Sequence, residues 1–567
     1  MSLLRPYGKV DETDQLRLDA SRRTRKRIAV IVLSSVVLVG VVVGVVFGTI
    51  NASNKNDDSN NQNGALSTSI KAICDVTLYP DTCHNAFGPL ANLSHLNPGE
   101  ISKLSVQLAL DELSRVANYI FDHAITNSTD NKTILALENC HELLDLALDH
   151  LNISLSSSDI TLLKAVDDLK TWLTSAATYQ QTCIDGLAEV DPALANLIAN
   201  YLKNSTELTS NGLAILSFFS KLTDSLSLRR LMTYDNRQSK GDWVRPILRK
   251  LAQTDIRKQA NIVVAVDGSG KYKTISAALK AVPDKSKKRI VIYVKKGTYK
   301  ENVEVKKNKW NVVMVGDGMN ATTVIGSLNF IDGTPTFSTA TFAAKGKGFI
   351  AIDMGFKNTA GPSKHQAVAL MSTSDQSIFY RCRIEAYQDS LYAHSNRQFY
   401  RECNVYGTVD FIFGNSAVVL QNCTIAPKLP LLGQMNTITA QGRFDPNQNT
   451  GISVQGCSIR PFENLKATKT YLGRPWKNYS TTVYMQNNLG SLIDPTGWLP
   501  WVGTSAPDTI FYAEFQNYGP GSSTAKRVKW KGLKNISIKT AKEFTVSSFI
   551  DGKDWISKAQ VPFNANL

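Results

Sequence analysis

The feature that most restricts the fold of this chain is an internal repeat in its C-terminal half. Residues 381–392 (RCRIEAYQDSLY) align without gaps on residues 402–413 (ECNVYGTVDFIF), and an aromatic pair precedes each copy. Related units follow at 420–425, 454–459 and 485–489. Repeats of about twenty residues that contain short strands are typical of stacked solenoid coils. We therefore predict an all-β, right-handed parallel β-helix over 257–567, since a sandwich or barrel, the structural alternative, would not explain copies that stay in phase.

Four cysteines mark one position of successive repeats, at steps of 21, 20 and 34 residues: Cys382, Cys403, Cys423 and Cys457. The longest step must carry a loop insertion. A buried row of thiols in the solenoid core is one interpretation of this pattern. A disulfide between Cys403 and Cys423, formed in an oxidising compartment, is the other, and the sequence leaves both open.

Two aspartates keep a constant spacing from these cysteines. Asp389 lies seven residues after Cys382, and Asp410 lies seven residues after Cys403. Adjacent strands are about 4.8 Å apart, so the two carboxyl groups are predicted to be neighbours. Two carboxyl groups this close resist simultaneous ionisation, which favours a neutral acid beside a charged base or nucleophile. Turn residues or a divalent metal site are the alternatives, although a metal would need further oxygen ligands.

Two glutamines and an arginine are predicted to lie near this pair. Gln388 immediately precedes Asp389, and Gln366 lies 23 residues before Asp389, about one coil away. Amide N–H groups can stabilise the oxyanion that develops during ester hydrolysis. Arg474 offers a rigid fork that could hold an aspartate in its charged form. A serine–histidine–aspartate triad is poorly supported, because residues 257–567 contain two histidines and no G-x-S-x-G sequence.

Residues 65–220 have a helical pattern. Apolar residues recur at three- and four-residue steps in four segments, 101–124, 133–151, 157–187 and 192–222, which predicts an antiparallel bundle of about four helices. The remaining cysteines lie in this half, and their sequence positions allow three pairings: Cys74, Cys83, Cys140 and Cys183. Clustered ionisable residues with catalytic spacing are missing from this half of the sequence, so we expect a binding or regulatory domain.

The N-terminal residues predict a secretory route. Residues 28–49 form an uncharged, valine-rich segment long enough to cross a bilayer, and five arginines and lysines stand between residues 22 and 27. We expect a basic cytoplasmic tail at 1–27, a transmembrane signal anchor at 28–49 and a flexible linker at 50–64; a cleaved signal peptide is the alternative. Ten N-x-Ser/Thr sequons agree with export and glycosylation.

Charge and processing signals distinguish the rest of the chain. Residues 261–567 carry 37 lysines and arginines against 20 aspartates and glutamates, which favours a polyanionic partner. The predicted secretory route argues against nucleic acid as that partner. Residues 221–256 form a predicted linker with two dibasic pairs, Arg229–Arg230 and Arg249–Lys250. We expect proteolytic processing there, because proteases cut extended, mobile backbone; a solvated loop is the alternative.

Five ordered motifs make the chain resemble the plant pectin methylesterase (pectinesterase) precursors that carry an inhibitor-like pro-region. The motifs are GTYKE at 297–301, QAVAL at 366–370, YQDSLY at 387–392, GTVDFIFGN at 407–415 and LGRPW at 472–476. The resemblance covers about 257–567, and residues 65–220 resemble the inhibitor domain. It implies a carboxylic ester hydrolase whose β-helix groove binds methyl-esterified homogalacturonan. Methanol and acidic pectin would be the products, and no metal or organic cofactor is implied.

The resemblance implies a role for each candidate catalytic residue. Asp410 would be the nucleophile, and Asp389 would be the proton donor and later the base for water. Gln366 and Gln388 would stabilise the anionic tetrahedral intermediate. Arg474 would orient Asp410 and keep it ionised. The implied substrate contacts are Thr341, Gln366, Arg474 and Trp476.

The resemblance also implies properties of the precursor. The inhibitor-like domain would pair its cysteines as Cys74–Cys83 and Cys140–Cys183 and would act as an autoinhibitor, a folding aid or a retention signal. Subtilase-type proteases would cut at a dibasic site during export to the cell wall, while an uncut chain would stay membrane-anchored as a single-pass protein. Separate proteinaceous pectinesterase inhibitors are further expected partners.

Two rival functions stay open. A β-helix glycosidase or lyase would also use carboxylates or a basic residue, but paired glutamines and one arginine fit ester chemistry better. A non-enzymatic wall protein would use its bundle to block another esterase. The complete set of Asp389, Asp410 and Arg474 argues against that second alternative.

Overall fold

The structure, a computed structural model, describes residues 70–89, 98–124, 130–157, 162–231 and 255–567. The predicted tail, transmembrane anchor and linker, and the dibasic pair Arg249–Lys250, lie outside these residues. Within the described ranges, none of the helices combines the length and apolar character that a membrane span requires. The described residues from 73 onwards belong to one compact unit.

The N-terminal part of the described chain is helical. Its helices are α1 (Pro80–Phe87), α2 (Pro98–Ala124), α3 (Asn131–Ser157), α4 (Leu162–Ala188) and α5 (Pro192–Leu231). Helix α3 packs along α4, α4 along α5, and α2 against both α5 and α3, which gives the predicted four-helix bundle. Helix α5 extends beyond residue 220, where we placed the start of the linker, so Arg229–Arg230 lies on helical backbone.

Apolar stripes of these helices and two disulfides hold the bundle together. Fully buried leucines and alanines, among them Leu113, Leu144 and Leu213, form its core. The disulfides are Cys74–Cys83 and Cys140–Cys183, and the second joins α3 to α4. The pairing implied by the family resemblance is therefore confirmed among the three that the sequence allowed.

The C-terminal part is a parallel β-helix of three sheets, as the repeat predicted. Sheet A contains β1 (Ile262–Val264), β2 (Ile290–Val294), β5 (Val312–Val315), β8 (Ile350–Ile352), β11 (Ser377–Tyr380), β14 (Arg397–Arg401), β17 (Ala417–Gln421), β20 (Gly451–Gln455), β23 (Thr481–Met485), β25 (Phe511–Phe515) and β26 (Leu533–Lys534). Sheet B contains β3 (Gly297–Lys300), β6 (Thr322–Gly326), β9 (Gly355–Asn358), β12 (Arg383–Glu385), β15 (Asn404–Gly407), β18 (Thr424–Pro427), β21 (Ser458–Ile459) and β24 (Asn488–Leu489). Sheet C contains β4 (Val303–Val305), β7 (Phe342–Ala344), β10 (Leu370–Ser372), β13 (Leu391–Ala393), β16 (Ile412–Gly414), β19 (Asn436–Gln441) and β22 (Thr470–Gly473).

The C-terminal part also contains short helices. They are α6 (Ile275–Lys280), α7 (Ile538–Lys542), α8 (Val546–Phe549) and α9 (Gly552–Trp555), with 3-10 helices at Ile256–Gln259, Thr336–Thr339, Pro362–Lys364 and Ser557–Ala559. The C-terminal segment packs on the outer face of sheet A, where Trp555 and Ile556 join a buried cluster with Phe399. This cover removes one apolar sheet face from water.

The repeated positions stack in register inside the solenoid. Ile384 on β12 pairs with Val405 on β15, which in turn pairs with Ile425 on β18. Phe379 and Tyr400 stack with ring centroids 4.7 Å apart. Because identical phases recur on each coil, positions equivalent in the repeat become neighbours in space.

The predicted Cys403–Cys423 disulfide is wrong, and the alternative of a buried thiol row is right. All four repeat cysteines are buried and free. In-register parallel strands keep equivalent Cβ atoms about 4.8 Å apart, whereas a disulfide needs about 3.8 Å. Instead, the Cys403 thiol donates to the Phe379 carbonyl oxygen at 3.2 Å and the Cys423 thiol donates to the Tyr400 carbonyl oxygen at 3.5 Å.

The outer face of sheet C meets the bundle. Met371, Tyr392, Phe413 and Ala440 occupy paired positions on β10, β13, β16 and β19. These side chains are buried in one apolar cluster with residues of the bundle helices. The face of sheet C that borders the predicted catalytic residues is therefore covered.

Candidate active site

The two predicted carboxyl groups lie on adjacent coils, just before β13 and β16. Leu391 pairs with Ile412, so Asp389 and Asp410, each two residues earlier, occupy equivalent positions. The Asp389 backbone N–H donates to the Val409 carbonyl oxygen at 3.1 Å. Both aspartates have positive φ, 65° and 50°, a left-handed conformation that aspartate tolerates better than most residues. Both side chains line one cavity, so the predicted juxtaposition is confirmed.

Asp410 is held by an arginine fork. Arg474 follows β22, two strands along sheet C from β16, and its backbone N–H donates to the Thr439 carbonyl oxygen at 2.9 Å. Its Nε lies 2.8 Å from Oδ1 of Asp410, and its Nη2 lies 2.6 Å from Oδ2. The Thr437 hydroxyl donates to Oδ1 at 2.6 Å and accepts from the Asp410 backbone N–H at 2.8 Å. These charge-assisted bonds fix the orientation of the carboxylate.

The pKa of Arg474 reflects the same contact. Burial lowers the pKa of this guanidinium, but the hydrogen bond and charge of Asp410 outweigh burial and raise it overall. The guanidinium also lies over the Trp501 ring, 4.3 Å from its centroid. The arginine therefore stays cationic and stationary beside Asp410.

Asp389 has the opposite environment. Burial raises the pKa of Asp389 well above its usual value, and the negative charges of Asp410 and Glu189 raise it further, while Arg474 opposes the change. A carboxyl group with a raised pKa beside a carboxylate held by an arginine is the neutral acid and charged partner that the repeat predicted. The coupled pair has one proton available for transfer.

A cavity of about 270 Å³ surrounds the pair. The β-helix contributes the two aspartates, both predicted amides and an aromatic wall to it: Gln366, Gln388, Asp389, Tyr392, Asp410, Phe413, Arg474, Trp476 and Trp501. Helix α4 of the bundle and the turn that follows it form another wall through Thr182, Asp185, Gly186 and Glu189. The structure thus brings together every residue assigned a catalytic role from the sequence.

The aromatic side chains provide a platform that suits a sugar ring. Tyr392 and Phe413 stack with centroids 4.1 Å apart, and Trp476 lies 6.2 Å from Phe413. Gly442 makes room for this tryptophan, since a Cβ atom there would lie 2.8 Å from the indole ring. Trp476, predicted as a substrate contact, is therefore well placed at the cavity.

Thr341, the other predicted substrate contact, is not among the residues that line the cavity. Its side chain is fully buried, and its hydroxyl donates to the Lys357 carbonyl oxygen at 3.3 Å. Thr336, the first residue of the 3-10 helix Thr336–Thr339, does line the cavity. Threonines recur at positions 334, 336, 339 and 341, and their spacing does not indicate which of them lines the cavity.

The bundle places a third carboxyl group at the site. The Thr336 hydroxyl donates to Oε2 of Glu189 at 2.8 Å, and its backbone N–H donates to the same oxygen at 3.4 Å. Burial raises the pKa of Glu189, and the bonds to Thr336 oppose this. Sequence analysis missed Glu189 because nothing in the helical pattern distinguishes it from an ordinary surface glutamate.

A divalent metal site is the alternative use of acidic residues in this region. Within the described ranges, the side chains of histidine, cysteine, aspartate and glutamate form no group of three or more arranged to hold a metal ion. The β-helix supplies two carboxyl groups, two amides and a guanidinium to the cavity, and the bundle adds the carboxyl groups of Asp185 and Glu189.

Comparisons with known proteins agree with this geometry. Residues 261–553 match the family model described as pectinesterase, and residues 68–215 match the one described as plant invertase/pectin methylesterase inhibitor. A relative from Arabidopsis thaliana, named for both a pectinesterase and a pectinesterase inhibitor, is 55% identical over 569 residues, 99% of this chain and 100% of its own length. Pectinesterase 3 of Phaseolus vulgaris is 45% identical, over 99% of this chain and 98% of its own.

A solved structure supports the fold of the C-terminal half. The pectin methylesterase from carrot is 54% identical, covers 54% of this chain and 98% of its own, and gives a TM-score of 0.54. Since the pectinesterase model spans more than half of the residues and the Arabidopsis relative matches over nearly the whole length, this chain belongs to the pectinesterase family and carries an N-terminal domain of the inhibitor family.

Proposed function

We propose that this chain hydrolyses the methyl esters of homogalacturonan with Asp410 as the nucleophile. The Asp410 carboxylate attacks the ester carbonyl carbon, and the resulting tetrahedral oxyanion collapses with departure of methanol. Asp389 donates the proton that the leaving methoxide needs, which requires the neutral carboxyl group that its raised pKa supplies. The observation that carries this proposal is that Asp389, whose buried carboxyl group has a raised pKa, lines the same cavity as an Asp410 held by Arg474.

The second half of the reaction regenerates the enzyme. Attack on the ester leaves an anhydride between Asp410 and the sugar carboxyl group, and Asp389, now ionised, takes a proton from water. The hydroxide adds to the sugar carbonyl carbon, the anhydride bond breaks, and Asp410 leaves as a carboxylate. Gln366 and Gln388 donate amide N–H groups to both oxyanions. Trp476 and Thr336 contact the sugar.

The docked bundle blocks this reaction in the uncut chain. Glu189 occupies the hydrogen-bonding groups of Thr336, and Thr182 and Asp185 stand over the aromatic platform. Thr182 also bonds Nε2 of His394 at 2.8 Å. A polysaccharide chain and the bundle cannot occupy the same wall of the cavity, so the N-terminal domain acts as an intramolecular inhibitor until proteolysis separates it.

The route to the substrate follows from the N-terminal sequence. The chain enters the secretory pathway through residues 28–49, receives glycans and reaches the cell wall, and the uncut form stays anchored as a single-pass protein. Subtilase-type proteases cut at one of the two dibasic pairs. Separate proteinaceous inhibitors bind the surface that the bundle vacates.

A methanol assay tests the proposed function. The full chain carries an introduced protease site between residues 232 and 254, so that one preparation is measured before and after cleavage on highly methyl-esterified pectin. We expect low activity before the cut and strong methanol release after it. Asp410→Asn lowers kcat by at least about three orders of magnitude, the effect expected when a covalent nucleophile is removed.

Asp508→Asn is the matched control. Asp508 is an exposed aspartate that pairs with Lys531 away from the cavity, and its removal should leave methanol release unchanged. Chain shortening of the polysaccharide without methanol would favour a glycosidase or lyase and overturn the proposal. Equal activity of the Asp410 variant and its parent would overturn the role of Asp410.

A further inference from the structure

The two catalytic aspartates are equivalent in the repeat but differ in how the next coil holds them. The Asp389 backbone N–H donates to a backbone carbonyl oxygen of the next coil, that of Val409. The Asp410 backbone N–H donates instead to a side chain of the next coil, the Thr437 hydroxyl, at 2.8 Å. The same hydroxyl donates to Oδ1 of Asp410 at 2.6 Å. One hydroxyl group thus bonds both the backbone and the carboxylate of Asp410.

The backbone of Thr437 is itself fixed on both sides of Asp410. Thr437 lies on β19 and is 1% exposed. Its backbone N–H donates to the Thr408 carbonyl oxygen at 3.2 Å, and its carbonyl oxygen accepts from the Phe411 N–H at 3.3 Å. A threonine side chain also has few rotamers, because its Cβ atom is branched. The hydroxyl therefore has a fixed position relative to the turn that carries Asp410.

The contacts of Asp410 distinguish its two carboxylate oxygens. Each oxygen of an ionised carboxylate has about two acceptor sites. Oδ1 accepts from the Thr437 hydroxyl and from Arg474 Nε at 2.8 Å, so both of its sites are used. Oδ2 accepts from Arg474 Nη2 at 2.6 Å, while Nε lies farther from it, at 3.1 Å. Oδ2 therefore keeps a lone pair for attack on the ester carbon.

Thr437 is placed to act through Asp410 rather than on the substrate. Asp410 and Arg474 line the catalytic cavity, and Thr437 is not among the residues that do. Thr437 lines a second cavity of about 310 Å³, which shares Gln388 and Arg474 with the first. Loss of the Thr437 hydroxyl should therefore affect the chemical step more than the binding of the polysaccharide.

We propose that Thr437 is a positioning residue that holds Asp410 with Oδ2 as the attacking oxygen and that, with Arg474, distinguishes Asp410 from the equivalent Asp389. The inference rests on the proposed function and names a further residue on which its first step depends. Oδ2 forms the bond to the ester carbonyl carbon, the electron pair of the C=O bond moves to the ester oxygen, and Oδ1 keeps its two hydrogen bonds. Methoxide then leaves with the proton of Asp389.

The test removes the hydroxyl and keeps the shape of the side chain. Thr437→Val, in the full chain cut at the site introduced between residues 232 and 254, is assayed for methanol release across a range of pH. We expect kcat to fall about tenfold with little change in KM, the effect of one lost hydrogen bond to a charged group. The acid limb of the kcat/KM profile should move to higher pH, because the ionised carboxylate loses a donor. Thr437→Ser should restore most of kcat.

Thr481→Val is the matched control. Thr481 is a buried threonine on β23, and its hydroxyl donates to the Tyr479 carbonyl oxygen at 3.1 Å rather than to a catalytic group. Its kcat and its acid limb should equal those of the parent. The position of the acid limb does not depend on the amount of folded enzyme. If Thr437→Val does not fold, Thr437→Ala removes the same hydroxyl and takes its place.

Three results would each overturn the inference. They are an unchanged kcat and acid limb in the variant without the hydroxyl, an equal loss in Thr481→Val, and a serine variant as slow as the valine variant. Failure of the parent to release any methanol would instead contradict the proposed function.

Discussion

The β-helix and the bundle differ in how sequence position relates to position in space. In the β-helix, residues in the same phase of the repeat stack on adjacent coils, so Asp389 and Asp410 are neighbours because they follow equivalent cysteines. In the bundle, the periodic pattern identifies the buried faces of the helices and gives no information on their outer surfaces. The residues through which the bundle acts, such as Asp185 and Glu189, lie on those outer surfaces. The repeat therefore predicts which residues meet at the site, whereas the helical pattern predicts only which residues are buried in the core.

The largest expected effect is a difference in lost stability between cysteine variants of the bundle and of the β-helix. Replacing both members of the Cys140–Cys183 disulfide by serine removes a crosslink across 43 residues, which costs the bundle about 4 kcal/mol if the loss of chain entropy dominates. Replacing Cys403 by serine removes no crosslink from the β-helix. Thermal unfolding of the two variants, with and without reductant, measures this difference. Equal sensitivity of parent and Cys403→Ser to the reductant would agree with free thiols in the β-helix, and a selective loss in the parent would contradict them.

Arg474→Lys sharpens the comparison within the β-helix. Lysine keeps the positive charge but loses the two-pronged contact with both oxygens of Asp410, so the carboxylate is free to rotate. We expect kcat of the cut chain to fall about 100-fold, with a smaller change in KM. Arg443→Lys is a suitable control, because Arg443 is half-buried, follows strand β19 of the same sheet and bonds the backbone carbonyl of Asp445 rather than a catalytic group. Similar kcat losses in the two variants would attribute the effect to general disruption.

These residues also show what could be predicted from the sequence. The coil register, the paired aspartates, both glutamines and Arg474 were all identified, because a repeat and five motifs place them. The free state of Cys403 and Cys423 was not, because sequence spacing places the two cysteines on adjacent coils but does not give the distance between their Cβ atoms. Thr336 was not identified as a cavity residue, because its position depends on one turn of 3-10 helix that the spacing of the threonines does not predict. Glu189 was missed because its role arises only when two domains meet.

Glu189→Ala tests the surface of the bundle that the pattern did not identify. The variant loses two hydrogen bonds to Thr336 and a carboxylate next to Asp389. We expect the bundle to bind the cut chain about tenfold more weakly. This is the effect of losing a hydrogen bond to a charged group that contributes roughly 1.5 kcal/mol to binding. Methanol release as a function of added bundle measures the affinity. Glu138→Ala, a substitution on α3 at a residue that does not line the cavity, is the control.

The smallest expected effect is a weakening of docking in mild acid through His394. Burial between the domains and, to a smaller extent, the charge of Lys345 lower the pKa of His394 from the usual 6.5 to about 3. Its Nε2 faces Thr182, while its buried Nδ1 has no hydrogen-bond partner among the described residues. Docking therefore favours the neutral ring. The contribution of this ring to the stability of the docked state is fully present above pH 6.5 and is lost as the pH falls from 6.5 towards 3.

Between pH 7 and 5.5 we expect less than a tenfold loss of bundle affinity from this histidine, since the released ring takes up at most one proton over that range. Glu189 works in the opposite direction. Because the pKa of Glu189 is raised in the docked state, docking is accompanied by proton uptake at this carboxyl group. Lower pH therefore strengthens the contribution of Glu189 to docking. Bundle affinity of the cut chain, measured across this range for the parent and for His394→Gln, separates the two groups. In the variant, bundle affinity should no longer fall in acid through His394, while the opposite effect of Glu189 should stay. Identical pH profiles of the parent and the variant would show that His394 does not control docking.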